Sequence, residues 1–326
     1  MKFLNISSVL IYCFLVSCQN YTAQESNLNI DYREEMRNFV MEISSRAKEK
    51  NPDFSVIPQN GVELLLKDNN KVEIPALKYL DAIDAVAQED LFFGYPKINK
   101  PTPKSANLYL KKYLNVAKKN NKEVLVIDYC SSSKLIEKSY ALNKENDFVS
   151  FAATSRELDK LPGYKIRNEN KLDITALSQA KNFLYLLNYS AFPTKEELIA
   201  ELAFTNYDLL ILDLYFQDGS FTPEDLKKLK KKENGGERLV VSYMSIGEAE
   251  DYRYYWQENW SLKNQEWLVE ENPNWKGNFK VKYWNKDWKN VIYGNENAYL
   301  TKIIDAGFDG VYLDIIDGYQ YFEAQK

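Results

Sequence analysis

The 326-residue sequence contains no histidine. That absence excludes Ser-His-Asp and Cys-His triads, His-ligated zinc of the common kind and an imidazole general base together. Any hydrolytic chemistry has to run on Asp and Glu. Cysteine is nearly as scarce, with Cys13, Cys18 and Cys130 the three present. Two of these sit close to the N-terminus, so a disulfide framework cannot be built. Cys130 follows a strand-like run and has no histidine to activate it, which reads as buried packing rather than as a nucleophile. A basic surplus is missing too. The formal charge is −5 and the lysines are scattered rather than striped along one face, which argues against a nucleic-acid partner.

What is present starts with a leader. Met1 and Lys2 precede an apolar run through Val9, Leu10, Ile11, Phe14, Leu15 and Val16 that ends at Ser17 and Cys18. This is the three-part logic of a secretory signal, too short to span a bilayer. Leu15 to Cys18 has the form of a lipobox, in which cleavage before Cys18 leaves that thiol to carry lipid; an ordinary signal peptide with an incidental cysteine is the alternative. The expected organisation is a leader over 1–17, a polar tether over 18–30, and one domain over 31–326. Such a protein is exported, anchored to the bacterial cell envelope through lipid alone, and monomeric. A content of 45% hydrophobic and 27% charged residues suits one large core.

Apolar runs bounded by turn residues predict eight strands: Phe54 to Pro58, Ile83 to Ala87, Val124 to Tyr129, Phe148 to Ala153, Asn182 to Leu187, Tyr207 to Leu214, Leu239 to Ile246 and Phe308 to Asp314. Helix-period stretches lie between them at 103–120, 133–145, 194–204, 222–233 and 287–306. Eight alternating units predict an α/β fold of the closed (β/α)8 TIM-barrel type. The chain opens with a helix, Tyr32 to Lys50, and after the last strand leaves little room for another. If the opening helix fills that vacancy, the ring closes as in a circularly permuted barrel, with residues 160–181 as the join.

Strand ends tend to be polar or acidic, among them Gln59, Asn60, Glu89, Asp128, Asp213, Glu248, Asp314 and Asp317. One such acid could be a helix cap. Several converging on one barrel face point to a functional cluster. All six tryptophans, including Trp256 and Trp284, fall between the seventh and eighth strands. A stretch of roughly 40 residues there is too long for an ordinary loop and predicts an aromatic-rich insertion over the strand ends. Its rings could give sugar C–H faces an apolar platform or form its own core.

Four runs carry a family resemblance: Ser242 to Arg253 (Ser-Tyr-Met-Ser-Ile-Gly-Glu-Ala-Glu-Asp-Tyr-Arg), Gly307 to Asp317 (Gly-Phe-Asp-Gly-Val-Tyr-Leu-Asp-Ile-Ile-Asp), Asn51 to Gly61 (Asn-Pro-Asp-Phe-Ser-Val-Ile-Pro-Gln-Asn-Gly) and Gln88 to Tyr95 (Gln-Glu-Asp-Leu-Phe-Phe-Gly-Tyr). Together they resemble glycoside hydrolases related to family 114, the endo-α-1,4-polygalactosaminidase type, over nearly all of residues 31–326. In the usual order the first two runs precede the last two. Their reversal here matches the permutation, with Asn182 to Leu187 as the family's first strand.

The resemblance implies Asp314 and Glu89 as the catalytic pair, Asp314 as nucleophile or charge stabiliser and Glu89 as general acid/base. Asp317 and Asp90 are the neighbouring candidates. Glu248, Asp213 and Asp128 would line an acidic mouth suited to a cationic amino sugar. Gln59, Asn60, Tyr243 and Tyr312 are candidate hydroxyl contacts, and Trp256 and Trp284 candidate platforms. The implied partner is an amino-sugar-containing polysaccharide, with neither cofactor nor metal. The competing readings are a non-catalytic surface polysaccharide-binding lipoprotein and a carboxylate-only metal-dependent deacetylase.

Overall fold

In the computed structural model, which describes residues 30–67, 73–217 and 219–326, the eight expected strands all form, each within a few residues of its predicted ends. The order is α1 (Tyr32–Lys50), β1 (Ser55–Pro58), α2 (Leu77–Ala82), β2 (Ala85–Glu89), α3 (Lys104–Lys119), β3 (Glu123–Tyr129), α4 (Ser133–Glu145), β4 (Val149–Ala153), β5 (Phe183–Leu186), α5 (Lys195–Ala203), β6 (Leu209–Leu212), a small hairpin of β7 (Tyr215–Phe216) and β8 (Gly219–Ser220), α6 (Pro223–Leu229), β9 (Leu239–Ser245), β10 (Glu248–Glu250), β11 (Leu268–Glu271), β12 (Asn278–Val281), α7 (Lys286–Lys289), α8 (Tyr299–Asp305), β13 (Gly310–Asp314) and α9 (Tyr319–Glu323). Cys18, with the expected leader and most of the tether, lies outside the described residues.

Strands β5, β6, β9, β13 and β1 are neighbours in that order in one parallel sheet, and β2, β3 and β4 form a second. Their residues are buried almost throughout, as in β6, Leu-Leu-Ile-Leu. Parallel strands covered on both faces read as continuous apolar runs. The two sheets meet at β1 and β2 through a lone parallel bridge, Gln59 to Ala87. Backbone bonds from Asn60 N–H to the Ala87 carbonyl (2.8 Å) and from Asp84 N–H to the Val56 carbonyl (2.9 Å) reinforce it.

The expectation of a closed barrel is corrected at the other seam. No ladder joins β4 to β5 among the described residues; Phe151 and Phe183 meet there with ring centroids 5.8 Å apart. The long connection over 154–182 intervenes, and the N–H groups of Leu187 and Asn188 bond to the Leu158 carbonyl at 3.0 and 3.2 Å. Loop backbone thus occupies donors just past the end of β5.

Helix α1 begins where Asp31 accepts the Glu34 N–H, an N-cap that satisfies one orphan donor. It lies against the end of the chain. Arg33 pairs with Glu323 at 2.8 Å, the Tyr32 ring meets Phe322 and Trp284, and the Tyr283 hydroxyl donates to the Tyr32 carbonyl at 2.7 Å. The helix expected over 287–306 is instead broken into α7, a π turn over Asn290–Gly294, and α8. Asn290, Gly294, Asn295 and Asn297 fall at the break, and asparagine and glycine compete with or weaken a helix interior.

Strands β10, β12 and β11 form a three-stranded antiparallel sheet following β9. Beside it Trp256, Trp260, Trp267 and Trp288 contact one another in sequence, with centroids 5.5, 4.9 and 5.1 Å apart. Trp288 also donates its indole N–H to the Ile246 carbonyl at 2.8 Å.

Candidate active site

The polar strand ends open onto one cleft of about 1180 Å³. Three of the strands that supply it turn sharply at the same point. Asn60, Asp90 and Ile315, directly after Gln59, Glu89 and Asp314, all have left-handed backbone, with φ of 60°, 57° and 59°. For a β-branched residue such as Ile315 that conformation is strained, and strain of this kind gathers at functional sites. Gly247 makes room for it. A Cβ on Gly247 would lie 2.3 Å from the Ile315 carbonyl oxygen.

Asp314 Oδ1 accepts the Ile315 N–H and Oδ2 the Tyr243 hydroxyl, both at 2.8 Å. Burial raises its pKa first and the charge of Glu89 second; the two hydrogen bonds oppose this, and the result is about 7. Glu89 is held by three donors: Tyr129 hydroxyl on Oε1, and Gln59 Nε2 (2.6 Å) and Asn60 Nδ2 (3.3 Å) on Oε2. Tyr185 extends this network, its hydroxyl donating to Gln59 Oε1 at 3.1 Å. The arrangement presents two carboxylates in unequal surroundings, one richly hydrogen-bonded and one pushed toward its neutral form.

Glu248, Asp317 and Asp213 line the same cleft, as do Gln59, Asn60 and Tyr243. Glu248 is buried, which raises its pKa, and it accepts from Asn272 (2.8 Å) and Asn278 (3.4 Å). Burial chiefly, with nearby carboxylates adding to it, pushes Asp317 up to about 6. Asp213 is paired: Arg253 binds both its oxygens, at 2.8 and 2.7 Å, and reaches Glu250 at 2.7 Å. Among the described residues no group of three or more His, Cys, Asp or Glu side chains is placed to hold a metal ion.

Four expected site residues lie elsewhere. Asp128 is fully buried outside the cleft, where it accepts the N–H groups of Phe92 (2.8 Å) and Phe93 (3.0 Å), Ser139 Oγ (2.6 Å) and Asn143 Nδ2 (3.1 Å). Successive residues of a strand face opposite ways, so with Tyr129 turned to Glu89, Asp128 turns to α4. Tyr312 shares the inward face with Asp314 but sits two residues deeper, fully buried against the Tyr185 ring at 5.0 Å, and its hydroxyl has no hydrogen-bond partner among the described residues. Trp256 packs on Trp260 and Phe279, and Trp284 on Tyr32 and Phe322. Neither lines the cleft. Asp90, the neighbouring candidate to Glu89, is bound by Arg156 at 2.7 Å. Cys130 is buried, which pushes its thiol up to about 12.

The residues that sequence reasoning missed are Tyr129, Tyr185, Arg253, Tyr252 and Trp275, all in the cleft lining. Tyr129 could have been found from the alternation that puts it opposite in sense to Asp128. Arg253 stood within one of the family-like runs. Nothing in the sequence distinguished Trp275 from the other five tryptophans.

Parallel strands whose carboxyl ends deliver carboxylates to an open cleft are the arrangement in which barrel enzymes place their active sites. Residues 166–326 match the model of glycoside-hydrolase family GH114, which supports a relationship to that family. The chain is 38% identical over 180 residues to an uncharacterised protein of Methanocaldococcus jannaschii, covering 54% of this chain and 49% of that one. It is 40% identical over 126 residues to an uncharacterised Thermotoga maritima protein (37% and 36% covered) and 40% over 114 residues to one of Deinococcus radiodurans (35% and 34%). The chain thus spans about half or less of the length of these relatives.

Proposed function

We propose that the protein is an exported, lipid-anchored glycoside hydrolase that cuts within amino-sugar-containing polysaccharide chains, acting as a monomer through Asp314 and Glu89. The observation that carries this reading is the carboxylate pair itself. β13 and β2 flank β1, and the acids that end them share one cleft, each held by a tyrosine hydroxyl, with the charge of one raising the pKa of the other. A carboxyl raised to about 7, as Asp314 is, can hold a proton near neutrality, which glycosidic cleavage by an acid and a nucleophile or base uses.

Substrate class follows from charge. The cleft is lined by eight carboxylates (Glu89, Glu157, Asp213, Glu248, Glu250, Asp251, Asp314, Asp317) and two guanidinium groups (Arg156, Arg253). That field repels a uronate polymer and attracts one bearing free amines.

For the scaffold we propose a circularly permuted (β/α)8-type ring of strands, open at the seam between β4 and β5. Read as β5, β6, β9, β13, β1, β2, β3, β4, every strand neighbours the next, through a ladder or, at β1 and β2, a bridge. A family match that starts at 166, shortly before β5, and runs to the C-terminus is what a collinear alignment across such a join would give.

The test is reducing-end release from galactosamine- and glucosamine-containing polymers by the full chain and its Glu89→Gln and Asp314→Asn variants. Loss of activity in both folded variants is the expected result. Activity unchanged by either substitution would remove the pair from the mechanism. Tight binding with no new reducing ends would make the protein a polysaccharide-binding lipoprotein.

A further inference from the structure

We infer that the turn between β11 and β12 is a distal sugar subsite, in which Trp275 and Tyr252 take the ring of a further amino-sugar unit of the same polymer and Asp251 takes its ammonium. This rests on the amino-sugar reading above and extends it to lining residues that supply neither member of the carboxylate pair. Trp275 is the one tryptophan that lines the cleft, and it is 60% exposed, whereas Tyr252 is 62% exposed. Phe204 is more exposed still, at 78%, but lies outside the cleft lining, whereas these two rings are exposed within it.

The turn is stiff. Asn272 N–H bonds to the Asn278 carbonyl (2.7 Å), Trp275 N–H to the Asn272 carbonyl (3.2 Å) and Asn278 N–H to the Trp275 carbonyl (3.1 Å). Its flanks are tied to the cleft floor by the bonds from Asn272 and Asn278 to buried Glu248. Gly277 donates to Glu271 Oε1 at 2.8 Å and accepts from Asp251 N–H at 2.8 Å. At φ +86° it holds a left-handed conformation, and a Cβ there would meet Asp251 Oδ1 at 2.6 Å. Only glycine lets the turn sit this close to Asp251.

Tyr252 is fixed as well. Its hydroxyl bonds to Glu250 Oε1 (2.6 Å) and Asn278 Oδ1 (3.2 Å), and the Arg253 guanidinium lies over its ring at 5.5 Å. Its exposed area is therefore left to the side away from Arg253. An anchored Tyr252 ring and a Trp275 whose backbone is fixed in the turn, beside a carboxylate that enters no ion pair among the described residues, suit a sugar carrying an apolar C–H face and a cationic substituent. Because the turn is ordered before binding, little conformational entropy opposes the contact.

The experiment is a tryptophan-fluorescence titration of the full chain, in a Glu89→Gln background that stops cleavage, with galactosamine and glucosamine oligomers from dimer to octamer. Expected are an emission change on binding and an affinity that rises with chain length. Trp275→Ala should lose the emission change and, by isothermal titration calorimetry, weaken the longer oligomers by about tenfold, with the dimer little affected and Trp275→Phe restoring most of the lost affinity. Unchanged length dependence in Trp275→Ala, or no binding of any oligomer, would overturn the subsite. Trp275-dependent binding by a parent chain that cleaves nothing would uphold the subsite and overturn the hydrolase reading.

Discussion

Replacing Asp314 by Asn removes a carboxylate that the fold holds in an unfavourable place, and the size of the effect follows from its titration. Its pKa rises from 3.8 to about 7 on folding, through burial first and the Glu89 charge second. In this window the folded state binds more protons than the unfolded state, so stability falls as pH climbs from about 4 to about 7. Three pKa units at 1.36 kcal/mol each set an upper limit of roughly 4 kcal/mol. Asp314 opens on a solvent-filled cleft, and screening by that water brings the expected figure to about 2 kcal/mol. The asparagine variant never pays this cost. Its melting temperature should match that of the parent near pH 4 and exceed it by roughly 4 °C at pH 8, taking about 2 °C per kcal/mol for a domain of this size. Asp317 and Asp90, also raised to about 6, destabilise both proteins alike and largely cancel in the difference. Thermal unfolding by circular dichroism at pH steps from 4 to 8 measures it. A difference independent of pH, or a variant less stable than the parent at pH 8, would refute the account.

Tyr129→Phe removes one of the three donors to Glu89; a hydrogen bond to a charged group is worth about 1.5–3 kcal/mol, so kcat should fall roughly 10- to 100-fold with the fold retained, as steady-state kinetics and circular dichroism would show. Gly247→Ala drives a methyl group to 2.3 Å from the Ile315 carbonyl oxygen and should displace the Asp314 turn at a cost of about 1–3 kcal/mol, lowering kcat more than KM; wild-type kcat would show that the close approach is dispensable. Lys232→Met strands Asp208, its fully buried partner at 2.9 Å, at the opposite end of the strands, and should cost about 3–5 kcal/mol in denaturant unfolding while leaving kcat of the folded fraction unchanged.

The eight strands were legible because strands buried on both faces must be apolar along their whole length, whatever their neighbours. Helix α1 matches the expected Tyr32 to Lys50 and starts on local chemistry, the Asp31 cap and the acids of its first turn. The same double burial hid the orientation of strand residues. In β3 every residue from Val124 to Tyr129 is buried, so no polar and apolar alternation marked the inner face, and Asp128 was assigned to a cleft that Tyr129 reaches instead. The break within 287–306 was missed because hydrophobic period alone was weighed there against a run of asparagines.

Chain-local chemistry therefore determined the element types, the acidic strand ends, the absence of imidazole chemistry and the clustering of tryptophan. The meeting of Asp314 and Glu89 in one cleft, the withdrawal of Asp128 and Tyr312, the seam between β4 and β5, and the exposure of Trp275 alone among six tryptophans were decided only in three dimensions. Each of these depends on contacts between residues far apart in the chain, and the side of a strand or turn that meets water is set by what the rest of the fold packs against the other.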